Sequence, residues 1–375
     1  MKKMIEVDDI YFNSDTNITL KQIKQKLKGP DGSKSFFAVA TENIQSKYDT
    51  GVFSVAKSQL SIIYNIEEFI DLKNFRSKEV IQEIKQRRLK RVSEARKSKY
   101  HWMDGVRYFK QNDNLRFWDI DESFIRKYKT FCSSYLNQKP RTIINQLIFI
   151  RTLFNIAIKE GVIDQKYYPF AGEKVKIRIS SGNKIGLNVK EIEKIELLEL
   201  EKFSTIWHTH IIWLFSFYFA GMRISDVIKL KWSDFKDNCL YYVTEKNGKP
   251  LSLKFLIRLR LSLIIIDRIK NNNGYLFPFL RDVNQTQAEQ IYTRTKSTTK
   301  LLNYYLKKIA KLCNINKTLS NHIARHSFGN IAGDRIHPLM LQKLYRHSDL
   351  KTTLNYQTNF IHRDADEALD SVINF

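Results

Sequence analysis

From Ser35 the chain settles into helical text. In SFFAVATENIQSKY and VAKSQLSIIYNIEEFI, apolar residues return every three or four positions, the repeat that keeps them on one face of a helix. Gly51 falls between the two as a helix–helix connector would. Ahead of them, residues 1–34 are short and mixed, closing on the breaker cluster Gly29-Pro30-Asp31-Gly32-Ser33. RTIINQLIFIRTLFNIAIKEG, residues 141–161, predicts a strong amphipathic helix with Gly161 as its C-cap. Periodicity then fades over residues 167–186, where Pro169, Gly172, Ser180, Ser181 and Gly182 collect among lysines and arginines, as in an interdomain linker. Asn188, with Glu191 three residues later, opens a new helix with a capping box. The second half is helical around one strand-like section, CLYYVTEKNGKPLSLKF, in which residues 241–244 and 251–255 flank Asn247-Gly248, a strong hairpin signal. From Thr298 the text is helical again, with turns near Asn316 and over residues 334–338.

This pattern predicts a mainly α protein with a small β-sheet. It comprises a short N-terminal segment (1–34), a helical domain (35–172), a basic linker (173–187) and a mixed α/β domain (188–375). The chain has 375 residues, 43% hydrophobic and 13% aromatic, enough to bury one core per domain. Charge adds a partner to the picture. Sixty-three Lys and Arg against 39 Asp and Glu give a net +24, a self-repulsion that a polyanion such as nucleic acid would offset. Residues 76–99 concentrate it, with ten basic and three acidic side chains. A solvated helix explains such a run in an average protein; in an already basic chain a phosphate-contacting face is the better reading, with Arg87, Arg88, Lys90 and Arg91 as the expected DNA contacts. Cys132, Cys239 and Cys313 are far apart and in no metal-ligand spacing, which suits a reduced, cytoplasmic protein. The N-terminus MKKMIEVDDIYFNSD lacks the apolar block of a signal peptide, and the most apolar stretch, residues 211–222, falls short of the roughly 20 residues of a membrane span.

The second half also holds groups suited to phosphoryl transfer. Arg223 follows an apolar helix through Ala220-Gly221-Met222, His322 and Arg325 are spaced to share a helical face, and His347 lies nine positions before Tyr356. Singly, each has an ordinary explanation: a terminal salt bridge, a capping histidine, one half-buried tyrosine among 18. Together they resemble something specific. AGMRISDVIKLKWSDF (220–235) looks like the first active-site box of the tyrosine recombinases, or phage integrases, in which a small residue and a glycine precede the arginine. LSNHIARHSFGN (319–330) is similar to the second box, His-x-x-Arg-His-Ser/Thr-Phe, and LYRHSDLKTTLNY (344–356) to the third. The boxes occur in family order, with 102 positions from Arg223 to Arg325 and 31 from Arg325 to Tyr356. The text ahead of them also resembles integrases carried by mobile elements of Bacteroidetes.

The resemblance implies a helical core-type DNA-binding domain and a tyrosine-recombinase catalytic domain closing on double-stranded DNA like a C-shaped clamp. It also implies a covalent 3′-phosphotyrosine at Tyr356. Arg223 and Arg325 would hold the non-bridging phosphate oxygens, His322 would accept the tyrosine proton, and His347 would orient the phosphate. A lysine on the hairpin, Lys246 with Lys249 as competitor, would protonate the leaving oxygen. Storing the bond energy in the phosphotyrosine means that neither cofactor nor metal is needed. Asp226 would brace Arg223. Four protomers would synapse two recombination sites, from a protein monomeric in free solution. A type IB topoisomerase-like enzyme and a catalytically silent DNA-binding relative are the rivals; spacing argues against the first and the intact residue set against the second. Arg346 stands where the family's third box has glycine; a glycine would serve a tight helix start there, so the long cationic side chain is expected to shift His347 slightly or to add a phosphate contact. Beyond Tyr356, Ala365, Ala368, Leu369, Val372 and Ile373 recur at helical intervals, an apolar stripe on a tail helix that would fit equally a fold back onto its own domain; the resemblance implies docking on a neighbouring protomer instead.

Overall fold

The structure is a computed structural model that describes residues 34–72, 78–97, 101–171, 175, 177, 186–237, 239–243, 250–254, 274–333 and 335–357, with some side chains in these spans, Arg91 and Tyr356 among them, outside the description. The short N-terminal segment, most of the basic linker and the expected tail helix therefore lie outside the described residues. The chain divides into two compact units at Ser180 and Ser181.

Among its described residues the first unit is helical: α1 (Phe36–Asp49), α2 (Phe53–Asp71), α3 (Lys78–Lys97), α4 (Asp104–Lys110), α5 (Glu122–Thr130) and α6 (Pro140–Lys159). The apolar stripes of α1 and α2 and that of α6 meet in one core, where Phe36, Phe37, Ile63, Ile66, Ile150 and Phe154 are fully enclosed. Ser35 caps α1, its hydroxyl accepting from Ala38 N at 3.1 Å. Gly51 and Gly161 end α1 and α6 with positive φ. After Gly161, the Val162 N–H reaches back to the Ala157 carbonyl at 2.8 Å and the Gly161 N–H to that of Ile158 at 3.1 Å, the paired bonds of a Schellman end. Helix α6, not residues 211–222, is the described segment long and apolar enough to cross a membrane. Its Ile143, Leu147, Ile150 and Leu153 are spent on the core of this unit.

Helix α3 carries the basic run, but part of that run faces inward. Arg88 donates to the buried carboxylate of Glu68 at 3.2 Å and to Asn65 Oδ1 at 2.6 Å, both on α2. Arg87 pairs with Asp71 at 3.2 Å and with Glu83 at 3.3 Å. Burial pulls the Arg88 guanidinium below its usual range. Of the four expected DNA contacts, Lys90 is exposed, Arg87 and Arg88 are committed to α2, and the Arg91 side chain is not described.

The second unit is built around α8 (Thr205–Tyr218), preceded by α7 (Val189–Glu196) with the Asn188–Glu191 capping box formed at 2.9 and 2.8 Å. Residues 207–216 of α8 are all buried, so this helix is enclosed on every side, with His208, Thr209, His210 and Ser216 among its apolar residues. Around it lie α9 (Ile224–Ile228), α10 (Ala288–Leu312), α11 (Asn321–Ala332), α12 (Pro338–Tyr345) and α13 (Leu350–Gln357). Helix α10 starts ten residues before Thr298, where the sequence pattern placed it. The sheet has three antiparallel strands, β1 (Phe235–Lys236), β2 (Cys239–Val243) and β3 (Pro250–Lys254), in that order. Val243 pairs with Pro250, so six residues, 244–249, join β2 to β3; Asn247-Gly248, Lys246 and Lys249 fall among them, outside the described residues.

Candidate active site

The first box forms the sharp exit from α8. Ala220 and Gly221 both take positive φ, 53° and 65°, and Ser216 Oγ donates to the Met222 carbonyl at 2.6 Å to pin the turn. Two constraints make the small-glycine pair necessary. A left-handed residue favours glycine, and a Cβ on Gly221 would sit 2.8 Å from the Cα of Arg325. The turn thus lets the backbone of one box touch the backbone of another. Arg223 follows as the N-cap of α9, its carbonyl accepting from Asp226 N at 2.9 Å and Val227 N at 3.0 Å. Asp226 is buried on the same short helix.

The second box lies on α11. Arg325 is 4% exposed and is held from three sides. Nη1 donates to the Gly221 carbonyl at 2.9 Å, Nη2 to the Tyr345 carbonyl at 2.8 Å, and the guanidinium lies 3.9 Å over the Tyr345 ring. The Tyr345 hydroxyl in turn donates to the carbonyl of Arg325 itself. His322, one turn earlier, is exposed and packs edge-on against His326 with ring centroids 4.5 Å apart. The two residues therefore share a helix, but Arg325 points into the molecule while His322 stays at its surface. The segment that enters this unit is fastened to the same helix: Leu187 N–H donates to Ser327 Oγ at 2.8 Å.

The third box supplies the corner between α12 and α13. Arg325 Nη2 stands 3.2 Å from His347 Nε2, and His347 Nδ1 lies 3.0 Å from Thr353 Oγ1. A guanidinium can only donate, so Nε2 accepts and Nδ1 carries the proton toward Thr353, which makes this imidazole neutral in the arrangement seen. Thr353 is fully buried on α13, three residues before Tyr356. A chain of contacts thus runs from Gly221 through Arg325 and His347 to the helix that carries Tyr356.

Arg346 departs from the expected tight helix start. It sits at the end of α12, not the beginning of α13, with φ 53° and ψ 40°. The His347 N–H reaches the Gln342 carbonyl at 3.1 Å and the Arg346 N–H that of Lys343 at 3.2 Å. That is the bonding seen at Gly161, with arginine in the left-handed position. Its side chain is only 4% exposed and its guanidinium lies 4.5 Å over the ring of Tyr242 on β2. Burial pushes the Tyr242 phenol above its usual range; Arg346 opposes that, Asp226 adds to it, and Arg325 and Arg223 oppose it. Burial likewise pulls Arg346 down, against the charge-favouring Tyr242 and Asp226. Four charged groups from three boxes are thereby within electrostatic reach of one phenol.

Of the expected site residues, the structure gathers Arg223, Arg325 and His347, places Tyr356 on the helix joined to them by Thr353, and puts His322 on the same helix as Arg325; Lys246 lies outside the described residues. Tyr345 and Tyr242 were not singled out by the sequence. Its place inside the third box was the only signal for Tyr345, and an alternating strand pattern the only one for Tyr242.

Residues 77–177 match the phage integrase SAM-like domain, and residues 188–362 the phage integrase family. The fold is similar to that of XerH site-specific recombinase bound to a palindromic difH substrate in a post-cleavage complex. There the TM-score is 0.55 and the identity 16%, over 91% of this chain and 98% of that one. Similarity is also found to a lambda integrase dimer bound to a COC′ core site, with TM-score 0.48, 15% identity, and 79% and 94% coverage. A Tn1549 transposon integrase in complex with a circular intermediate DNA gives TM-score 0.48, 14% identity, and 70% and 91% coverage. No curated protein matches the chain by sequence.

Proposed function

The chain belongs to the phage integrase family, the tyrosine site-specific recombinases, and from that premise we propose that it cuts and rejoins double-stranded DNA through a 3′-phosphotyrosine on Tyr356. The observation that carries this reading is the contact chain Gly221–Arg325–His347–Thr353, which ties two boxes to the helix of the third box's tyrosine.

The chemistry follows from the groups. Arg325 is immobilised by two backbone carbonyls and an aromatic face, so its charge is pre-organised and needs no rearrangement when a phosphate oxygen arrives. Arg223 supplies the second guanidinium for the non-bridging oxygens. As Tyr356 Oη bonds to phosphorus, its proton passes to His322, whose exposed position leaves it open to substrate. His347 orients the phosphate. The bond from phosphorus to the 5′ oxygen breaks, and that oxygen takes a proton from Lys246, with Lys249 as the alternative donor. A 5′ hydroxyl reverses the same steps to reseal.

Residues 35–172 act in this reading as the core-type DNA-binding domain, 173–187 as a basic linker and 188–375 as the catalytic domain. Exposed Lys90 of α3 lies along DNA, and four protomers, monomeric before binding, synapse two sites.

A nicked suicide substrate tests the central claim. The parent protein traps a covalent DNA adduct; Tyr356→Phe gives none while binding DNA with nearly unchanged affinity. An adduct formed by the Phe variant would refute the assignment.

A further inference from the structure

Four described helices close with the same pair of backbone bonds around a left-handed residue: at Gly51, Gly161, Asn314 and Arg346. Glycine and asparagine tolerate that conformation; arginine is strained there by its Cβ. The strain is not relieved by solvation, because the Arg346 side chain is 4% exposed. What the side chain does instead is cross to β2 and cover the ring of Tyr242, with Asp226 close enough to favour its charge. A position that strains the backbone and buries a cation is maintained by what the cation holds.

Tyr242 pairs with Leu251, so a hold on Tyr242 bears on both strands of the hairpin. Leu240, two residues back on β2, is fully buried in the core of the unit. The hairpin is thus anchored at Leu240 and again at Tyr242, the second anchor only one ladder pair short of the 244–249 connection. On the other side, Arg346 shares its helix end with His347, whose own N–H completes that end. One corner therefore fixes both the histidine and the strand.

We propose that Arg346 is a positioning residue that latches β2 to the His347 corner through Tyr242, setting where the β2–β3 connection delivers its proton donor. The inference rests on the reading of Lys246 as that donor. As Tyr356 Oη bonds to phosphorus and the P–O5′ bond breaks, the lysine ammonium gives its proton to O5′ and is left as an amine. A lost latch leaves nucleophile and phosphate contacts in place and impairs only that transfer.

A leaving-group comparison separates this from general damage. The full chain is assayed on a nicked substrate with the ordinary 5′ oxygen and on one with a 5′-bridging sulfur, which departs as thiolate without a proton. Arg346→Gly, which relaxes the backbone, is expected to slow cleavage of the oxygen substrate by roughly 10- to 100-fold, the scale of a misplaced acid, and to leave the sulfur substrate within about threefold of the parent. Arg346→Met, which keeps the strain and bulk but not the charge, shows the same selectivity, as does Tyr242→Leu. The double variant Arg346→Gly/Tyr242→Leu is no slower than the worse single one, because the two act through one contact. Equal slowing of both substrates, or no slowing of the oxygen substrate, overturns the latch. Lys246→Ala and Lys249→Ala run alongside. If neither lysine variant is selective, the donor assignment fails and the latch falls with it; if a lysine variant is selective and Arg346→Gly is not, the latch alone is overturned and the donor assignment stands.

Discussion

Gly221 is the residue whose replacement is easiest to price from geometry. An alanine there meets a positive φ and a Cβ within 2.8 Å of the Arg325 backbone, neither of which a side-chain rotation relieves. Gly221→Ala should destabilise the protein by roughly 2–4 kcal/mol, as strained and overpacked sites do, and should weaken cleavage further because the Gly221 carbonyl holds Arg325. Urea denaturation of the full chain measures the first effect; a loss under about 0.5 kcal/mol would mean that the turn yields. His208 offers a second test. Burial, with Arg281 adding to it, lowers its pKa from 6.5 to about 4. The unfolded chain takes up the proton first, so stability is complete above pH 6.5 and is lost as pH falls toward 4, by up to roughly 3 kcal/mol. His208→Leu should flatten that part of the stability–pH curve, and an unchanged slope would rule the residue out. At this scale the sequence was legible where residue types form motifs, which is how it points to Arg223, Arg325, His347 and Tyr356 as the proposed chemical groups. It was silent where backbone angles decide, since no periodicity announces that Arg346 is left-handed, or that Tyr345 lies beneath a guanidinium 20 positions away.

Among the elements, α3 shows how far a charge run can be read. Its helix and net charge were plain in the sequence; its facing was not, because only the burial of Glu68 on α2 tells that Arg88 is a counterion. The two kinds of basic residue should separate on mutation. Arg88→Ala should cost about 1–3 kcal/mol of stability, less than for a fully buried pair because the Arg88 side chain is 38% exposed. Lys90→Ala should leave stability within about 0.5 kcal/mol and flatten the slope of log K against log salt for DNA binding by roughly 0.9. A slope unchanged by Lys90→Ala would make α3 a solvated helix. The hairpin was read correctly as two strands, whereas its register, with Val243 opposite Pro250, follows from the packing of Leu240 and had no sequence signal.

For the whole molecule, the charge of +24 constrains assembly. Like-charged protomers repel until phosphates neutralise them, so the free protein should be monomeric by light scattering and should reach four copies only on DNA bearing two sites. Tetramers in the absence of DNA at low salt would contradict this. Division into two units was foreseeable from the loss of periodicity after Tyr167. Helices α1 and α2 were foreseeable too, from the apolar repeat that starts at Ser35: they precede the matched SAM-like region that begins at residue 77, and their Phe36, Phe37 and Ile63 share its core.

The left-handed arginine also has a consequence for how such a chain changes over generations. Glycine and arginine codons differ by one base, so the exchange at position 346 lies a single mutation away in either direction. Glycine relaxes the helix end and frees the strand; arginine does the reverse. Selection can therefore move between a sturdier fold and a better-aimed hairpin without crossing an unfolded intermediate, provided that the remaining stability stays above the threshold for function.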